Sequence, residues 1–555
     1  MSFFSELKRR GLLQVGITSV IVAWGVAQVA DLLLENFQVD DWVMQVVLMV
    51  LGIGCIMSVA LAWMFDLRWD GIHLESDLAK VAESTAAPVQ QIENESIAVL
   101  PFVNMRSDPE QEYFSDGISE ELLNLLAGIP ELRVAARTSA FSYKGKDTKI
   151  DVIGKELGVA HVLEGSVRKS GDRVRITAQL IRAENGYHLW SETWDRTLDD
   201  IFDVQDEIAA IVTNHMKLTL LSVPEVVETN PEAYSLYLQA RHLTRQGTGS
   251  SYQQALELLQ QALETTPDYA PAWRQLGVIY MTQADRGLRS AGEGFRLGQE
   301  ATEKALAIDP NNALAHSSMC RIALTQDQDL PVAARHMQIA LSLNPADSTI
   351  LSAAANLAQT LGRIDTAISL EEYLAARDPV QPNIHSNLGA SYFIAGRLED
   401  AVRSYRTALR LSPDGIGLHA NLGLALLAQD VPGFAMQEIA KETDEAFRLI
   451  SQAMVFHTQG ETSESDAALD TVIEKYGSEW ACNIASVHAY RGDIDPAFEW
   501  LEKAVDYQDP GLIEIVTQPE FSNLYSDPRW HEFLTRIGRA PEQLAAIEFK
   551  VSLPS

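Results

Sequence analysis

The sequence predicts a multidomain chain: a transmembrane helical hairpin, an α+β domain, then an all-α solenoid of paired helices. Three observations carry that reading. Residues 11–30 and 42–65 contain no charge; between residues 96 and 217 the apolar spacing switches between helical and two-residue periods; and Pro345, Pro379 and Pro413 recur at intervals of 34. The length of 555 residues exceeds what one hydrophobic core usually supports. A composition of 46% hydrophobic and 21% charged residues is that of a globular chain.

With 43 Lys plus Arg against 76 Asp plus Glu, the net charge is −33. No nucleic-acid partner is expected, because affinity for phosphates rests on Lys and Arg displacing counterions. Cys55, Cys320 and Cys482 lie far apart and form no CxxC or Cys/His cluster. That spacing argues against a disulfide framework or a thiolate metal site and fits a reducing compartment.

Taken in order, residues 1–70 read as the hairpin, with spans at about 11–34 and 42–65. At about 1.5 Å per residue, each span covers a hydrocarbon core of about 30 Å. A cleaved signal peptide would have a shorter apolar core. Lys8, Arg9 and Arg10 precede the first span and Arg68 and Lys80 follow the second, while the turn ENFQVDD has no basic residue. The positive-inside rule therefore puts both ends in the cytoplasm.

Residues 71–95 read as a polar linker broken by Pro88. SIAVLPF, residues 96–102, is a buried strand; a helix follows with Ile118, Leu122, Leu125, Leu126 and Ile129 on one face. LRVAA (132–136) is a second strand, and Ile150, Ile153 and Leu157 mark a helix closed by Gly158. VLEGSV, a turn at 169–172, the alternating run Val174, Ile176, Ala178, Leu180, and YHLWSETWD give three more strands before a last helix near 198–217. Trp190 and Trp194 share a parity and are expected to pack together.

SIAVLPFVNMRSDPEQEYFSDGISEELLNLL, LRVAARTSAFSYKGK, GVAHVLEGSVRKSGDRVRITAQLI and GYHLWSETWDR resemble the TolB-like, or FlgO-like, amino-terminal domain, here over 96–222. ELKRR and WMFDLRWDGI, flanking the hairpin, also look like the leader of bacterial proteins that join this domain to tetratricopeptide repeats. The resemblance implies action through protein contacts, without catalysis. It also implies a bacterial inner-membrane, multi-pass protein, its body in the cytoplasm by the charge pattern or, as the alternative, in the periplasm like the domain's namesakes.

From residue 231 to 540 the 34-residue period is the tetratricopeptide length, two antiparallel helices per unit. The clearest unit carries Leu388, Gly389, Tyr392, Gly396, Ala401, Tyr405, Ala408 and Pro413 at the signature positions. An insertion is expected near 285–297 and a disturbed register at 429–446, within about six to eight units in all. Trp530, Phe533, Leu534 and Ile537 form the apolar face of a closing segment, and 541–555 is a tail.

Asn356, Asn387 and Asn421 are expected to project from the first helices of successive units into a concave groove. There their amides would bond an extended peptide, or else serve only in helix packing and solvation. No GxxxxGK[ST], GxSxG, HExxH or EF-hand pattern occurs, and His161, His188, Asp116, Glu120, Glu164 and Glu192 show no catalytic spacing. Neither enzyme activity nor a cofactor is expected. The reading is a membrane-anchored adaptor that binds proteins or peptides and contacts the bilayer through two spans. The alternative is a regulatory subunit of a separate signalling enzyme such as a nucleotide cyclase.

Overall fold

The computed structural model describes Met49 and residues 65–68, 71–74, 95–105, 112–129, 132–216 and 230–554. They fall into two compact units, Met1–Gln91 and Ile92–Ser555. In the first, β1 (Phe65–Arg68) and β2 (Gly71–Leu74) pair antiparallel, Phe65 opposite Leu74 and Arg68 opposite Gly71. The expected spans lie outside the described residues, except for helical Met49 and for Phe65, which opens β1.

The expected multi-pass placement in the inner membrane is corrected. Among the described residues no helix is long and apolar enough to cross a membrane. A span needs about 20 consecutive apolar residues. The longest described helix, Ala291–Ile308, has 18 and carries Glu293, Arg296, Glu300, Glu303 and Lys304. The expected bilayer contact through two spans has no support here.

The second unit begins with β3 (Ser96–Val99), β4 (Val103–Asn104), α1 (Glu112–Ala127), β5 (Arg133–Val134), α2 (Arg137–Phe141) and α3 (Ile150–Leu157). β6 (His161–Ser170), β7 (Arg173–Arg182), β8 (His188–Thr197) and α4 (Ile201–His215) complete the α/β part. The sheet order is β5-β3-β6-β7-β8, with β4 beside β6. β3 runs parallel to β5 and β6, and β6, β7 and β8 are antiparallel.

β3 is buried throughout because both its faces are covered. Ile97 and Val99 join α1 and α4 in the larger core, while Ala98 and Leu100 turn to Ile153 and Leu157 of α3. Left-handed glycines end α3 (Gly158, φ 63°) and turn β6 into β7 (Gly171, φ 59°), where a side chain would be strained. Trp190 and Trp194 pack at 5.6 Å, as their parity predicts. The Trp194 indole also donates to Glu207 of α4 at 2.7 Å.

Eight helix pairs follow among the described residues. They are α5/α6 (Pro231–Gln246, Gly249–Thr265), α7/α8 (Ala270–Asp285, Ala291–Ile308), α9/α10 (Ala313–Thr325, Leu330–Leu343) and α11/α12 (Ser348–Thr360, Ile364–Arg377). Then come α13/α14 (Pro382–Ile394, Leu398–Leu411), α15/α16 (Leu418–Ala428, Pro432–Ile439), α17/α18 (Glu445–Gln459, Thr462–Tyr476) and α19/α20 (Ala481–Arg491, Ile494–Asp506). Their ends follow capping chemistry: Asn230, Asp347 and Asp444 accept the first free N–H groups of α5, α11 and α17.

Inside a pair the helices meet at small residues. A Cβ on Gly389 would stand 2.8 Å from the Tyr405 ring, so only glycine lets α13 and α14 close on that tyrosine. Tyr392 fills the gap to the preceding pair and its hydroxyl donates to Glu372 of α12 at 2.6 Å. The disturbed register at 429–446 is a truncated second helix: α16 has only 8 residues. Buried Glu442 beyond it accepts the N–H groups of Ala420 at 3.3 Å and Asp444 at 3.1 Å, filling the space the missing turn leaves.

After α20, single turns at Pro510–Ile513 and Pro519–Leu524 lead to α21 (Pro528–Arg536) and α22 (Pro541–Ala546). Trp530 stacks on Phe521 at 5.5 Å, closing the last apolar face as the sequence predicts. The segment beyond α22 folds back on the middle of the array. Arg363 donates to the carbonyls of Ile547 and Phe549, and Phe549 is 5% exposed in the core of α9 to α12.

Candidate functional site

The first helices of successive pairs pack on one another, α5 on α7, α9 on α11, α15 on α17 and α17 on α19, more closely than the second helices do. The first helices form the row on which the sequence places its expected groove. Asn356 on α11 is exposed, and Asn387 on α13 is half-buried. The Asn387 amide nitrogen lies 3.5 Å from the Asn356 oxygen, at the outer limit of a hydrogen bond. Asn421 on α15 is half-buried one unit further on and shares no bond with either. The structure therefore brings two of the three predicted amides together.

Arg321 of α9 pairs with Asp285 at the end of α7. The side chain follows the surface, which is how the array tolerates its length.

A second cluster forms where the α/β part meets α5. Asp116 and Glu120 lie one turn apart on α1 and are 5% and 2% exposed. Asp116 takes the Lys144 ammonium at 2.7 Å, with His242 at 3.8 Å. Burial alone would raise its carboxyl, but hydrogen bonds from His242 and Lys144 and their charges hold it below the usual range. Glu120 receives three guanidiniums, Arg137, Arg241 and Arg245, and Arg241 also pairs with Glu121. Burial, then repulsion from Arg245 and Arg241, pushes Arg137 down to about 9; burial and Arg241 push Arg245 down to about 10.

The α/β part also docks on the end of α12. Ser139 donates to Asp378 at 2.6 Å and Arg133 to the Ala376 carbonyl at 3.2 Å. Between these two contacts lies a cavity of about 360 Å³, bounded by α1, β5, α2, the first helices α5, α7 and α9, and α12. A wider opening of about 790 Å³ at another edge of the sheet holds His161, Arg182 and His215.

Asp116 and Glu120 are spent on cations, and Glu192 accepts from the Trp190 indole at 3.3 Å. Among the described residues no group of three His, Cys, Asp or Glu side chains could hold a metal ion. Sequence reasoning missed the arginine cluster because its members are 108 positions apart at the extremes, Arg137 to Arg245. The one available signal was Asp116 and Glu120 at i, i+4 on the helix whose apolar face the sequence assigns to the core.

The comparisons with known proteins agree with the repeats. A tetratricopeptide-repeat model matches residues 389–430, and the model of the second domain of HilA/YgeH-like transcriptional regulators matches residues 93–211. The chain is similar to a putative adenylate cyclase 3 of Rhizobium meliloti, 42% identical over 213 residues, 37% of this chain and 36% of that protein. It is also similar to the transcriptional regulator HilA of Salmonella typhimurium, 22% identical over 336 residues, 59% of this chain and 52% of the relative. The chain thus spans between about a third and a half of the length of these relatives.

Among solved structures, a tetratricopeptide-repeat protein of Thermus thermophilus is similar at 22% identity and a TM-score of 0.29, over 35% of this chain and 99% of that one. The chain carries tetratricopeptide repeats in a helical solenoid, with a small sheet region near residues 96–200. Arrays of this type are binding surfaces.

Proposed function

We propose that this chain is a non-enzymatic adaptor that holds protein or peptide partners against the inner face of its helix pairs. The α/β part, read as a TolB-like module working through protein contacts, belongs to the same binding body. The observation that carries the reading is the row of first helices, on which Asn356 and Asn387 sit side by side with Asn421 one unit on. Each amide offers a donor and an acceptor, the pair that an extended peptide backbone needs. The shared core in which Tyr234, Tyr237 and Leu238 of α5 meet Ile118 and Leu122 of α1 supports treating the two parts as one body.

Affinity capture tests this. The wild-type chain is expected to retain a protein partner that the double variant N387A, N421A loses by about tenfold or more. Unchanged capture by the variant removes the inner face from consideration.

A second reading, a regulatory subunit of a separate signalling enzyme such as a nucleotide cyclase, is favoured by the similarity to the protein named as an adenylate cyclase. One signalling enzyme captured in equal amount supports it; structural proteins among the prey support the adaptor.

A further inference from the structure

We propose that the cavity between α1, β5 and the first helices α5 and α7 is a binding site for a small organic phosphate, its phosphoryl group held by arginines and its body by an apolar wall. In a chain of net charge −33, this cavity collects Arg137, Arg241, Arg245, Arg274 and Arg377, against Asp347 and Asp378. The lining itself carries five guanidiniums to two carboxylates. Glu120 and Glu121, which pair with the first three, stand behind the wall and do not line the space.

The two carboxylates that do line it already accept hydrogen bonds from neutral donors. Asp347 accepts the N–H groups of Thr349 and Ile350 at 2.8 and 3.0 Å, and Asp378 accepts the Ser139 hydroxyl at 2.6 Å. Arg274 is the clearest case. It makes no ion pair among the described residues, and its guanidinium donates only to the neutral Gln275 amide at 3.2 Å.

A guanidinium presents a planar fork that matches phosphate oxygens two at a time, and several forks facing one space suit a dianion with three equivalent oxygens. Leu123, Leu132 and Leu374 supply apolar lining. A volume of about 360 Å³ is at the small-metabolite end of ligand pockets, which run from about 300 to 1,000 Å³. Crowding the arginines is costly when the space is empty, since burial and mutual repulsion already weaken the hold of Arg137 and Arg245 on their protons. A bound dianion would relieve that repulsion.

The site is separate from the inner-face amides, so its failure leaves the adaptor reading standing. The test is titration calorimetry on the full chain with adenosine monophosphate, glycerol 3-phosphate, inorganic phosphate and uncharged adenosine. The expected result is binding of at least one organic phosphate about tenfold or more tighter than inorganic phosphate, none by adenosine, and about tenfold or more weakening in R274Q. R274Q leaves the partners of Glu120 in place, so its circular dichroism should match the wild type; R245Q provides a second variant. No binding by either organic phosphate at millimolar concentration, inorganic phosphate binding as tightly as both, or R274Q and R245Q both binding like the wild type would each overturn the proposal.

Discussion

Replacing Glu120 with alanine is expected to destabilise the Ile92–Ser555 unit by about 3–5 kcal/mol, the usual cost of removing one partner from a buried charge network. Glu120 is 2% exposed and is the shared anion of Arg137, Arg241 and Arg245. Without it three guanidiniums face one another, with Glu121 paired only to Arg241 and the Asp116 charge acting on Arg137 and Arg245 from a distance. The carboxylate also ties α1 to α5, so the contact between sheet and repeats should loosen first. Urea unfolding followed by far-ultraviolet circular dichroism checks this. Glu120→Gln, which keeps the shape and two hydrogen-bond acceptor sites, should fall between. A loss under about 1 kcal/mol for the alanine variant would mean that the network contributes as little as a surface pair.

The second large effect is a dependence on pH. Glu371 on α12 is 2% exposed, and neither carboxylate oxygen has a hydrogen-bond partner among the described residues. Burial pushes its carboxyl from 4.5 up to about 7. The folded state therefore binds this proton more tightly than the unfolded state does. Below about 4.5 the group costs nothing; as pH rises from there to about 7 stability is lost, and above about 7 the loss is complete. At about 1.36 kcal/mol per pKa unit, the loss approaches ~3 kcal/mol. Glu371→Met should erase that part of the pH dependence and make the protein more stable than the wild type at pH 8, as the difference between their unfolding curves at pH 4.5, 6 and 8 will show. Parallel curves for the two proteins would contradict this account of the buried carboxyl.

Local patterns were the legible part of the sequence. The 34-residue proline spacing announced the array, Gly158 and the turn at 169–172 announced the ends of α3 and β6, and the two-residue period of Val174 to Leu180 announced β7, because each signal is set by neighbours within one element. The short α16 was visible only as a broken pattern, since what replaces its last turn is a carboxylate, Glu442, folding back on α15. Contacts distant in sequence were not legible. Nothing in a one-dimensional reading pairs Ser139 with Asp378 or Arg363 with the carbonyls of Ile547 and Phe549, and so the arginine cavity and the returning C-terminal segment stayed hidden. The apolar runs at 11–34 and 42–65 suggested spans by hydropathy alone, and the described helices supply none.

Partners are expected to dock on the inner face of the helix pairs. Hydrogen–deuterium exchange of the chain with and without a captured partner tests it most directly. The account predicts new protection on the first helices α11, α13 and α15, where Asn356, Asn387 and Asn421 stand. Protection confined to the second helices α12, α14 and α16, with the first helices exchanging as in the free chain, would contradict it.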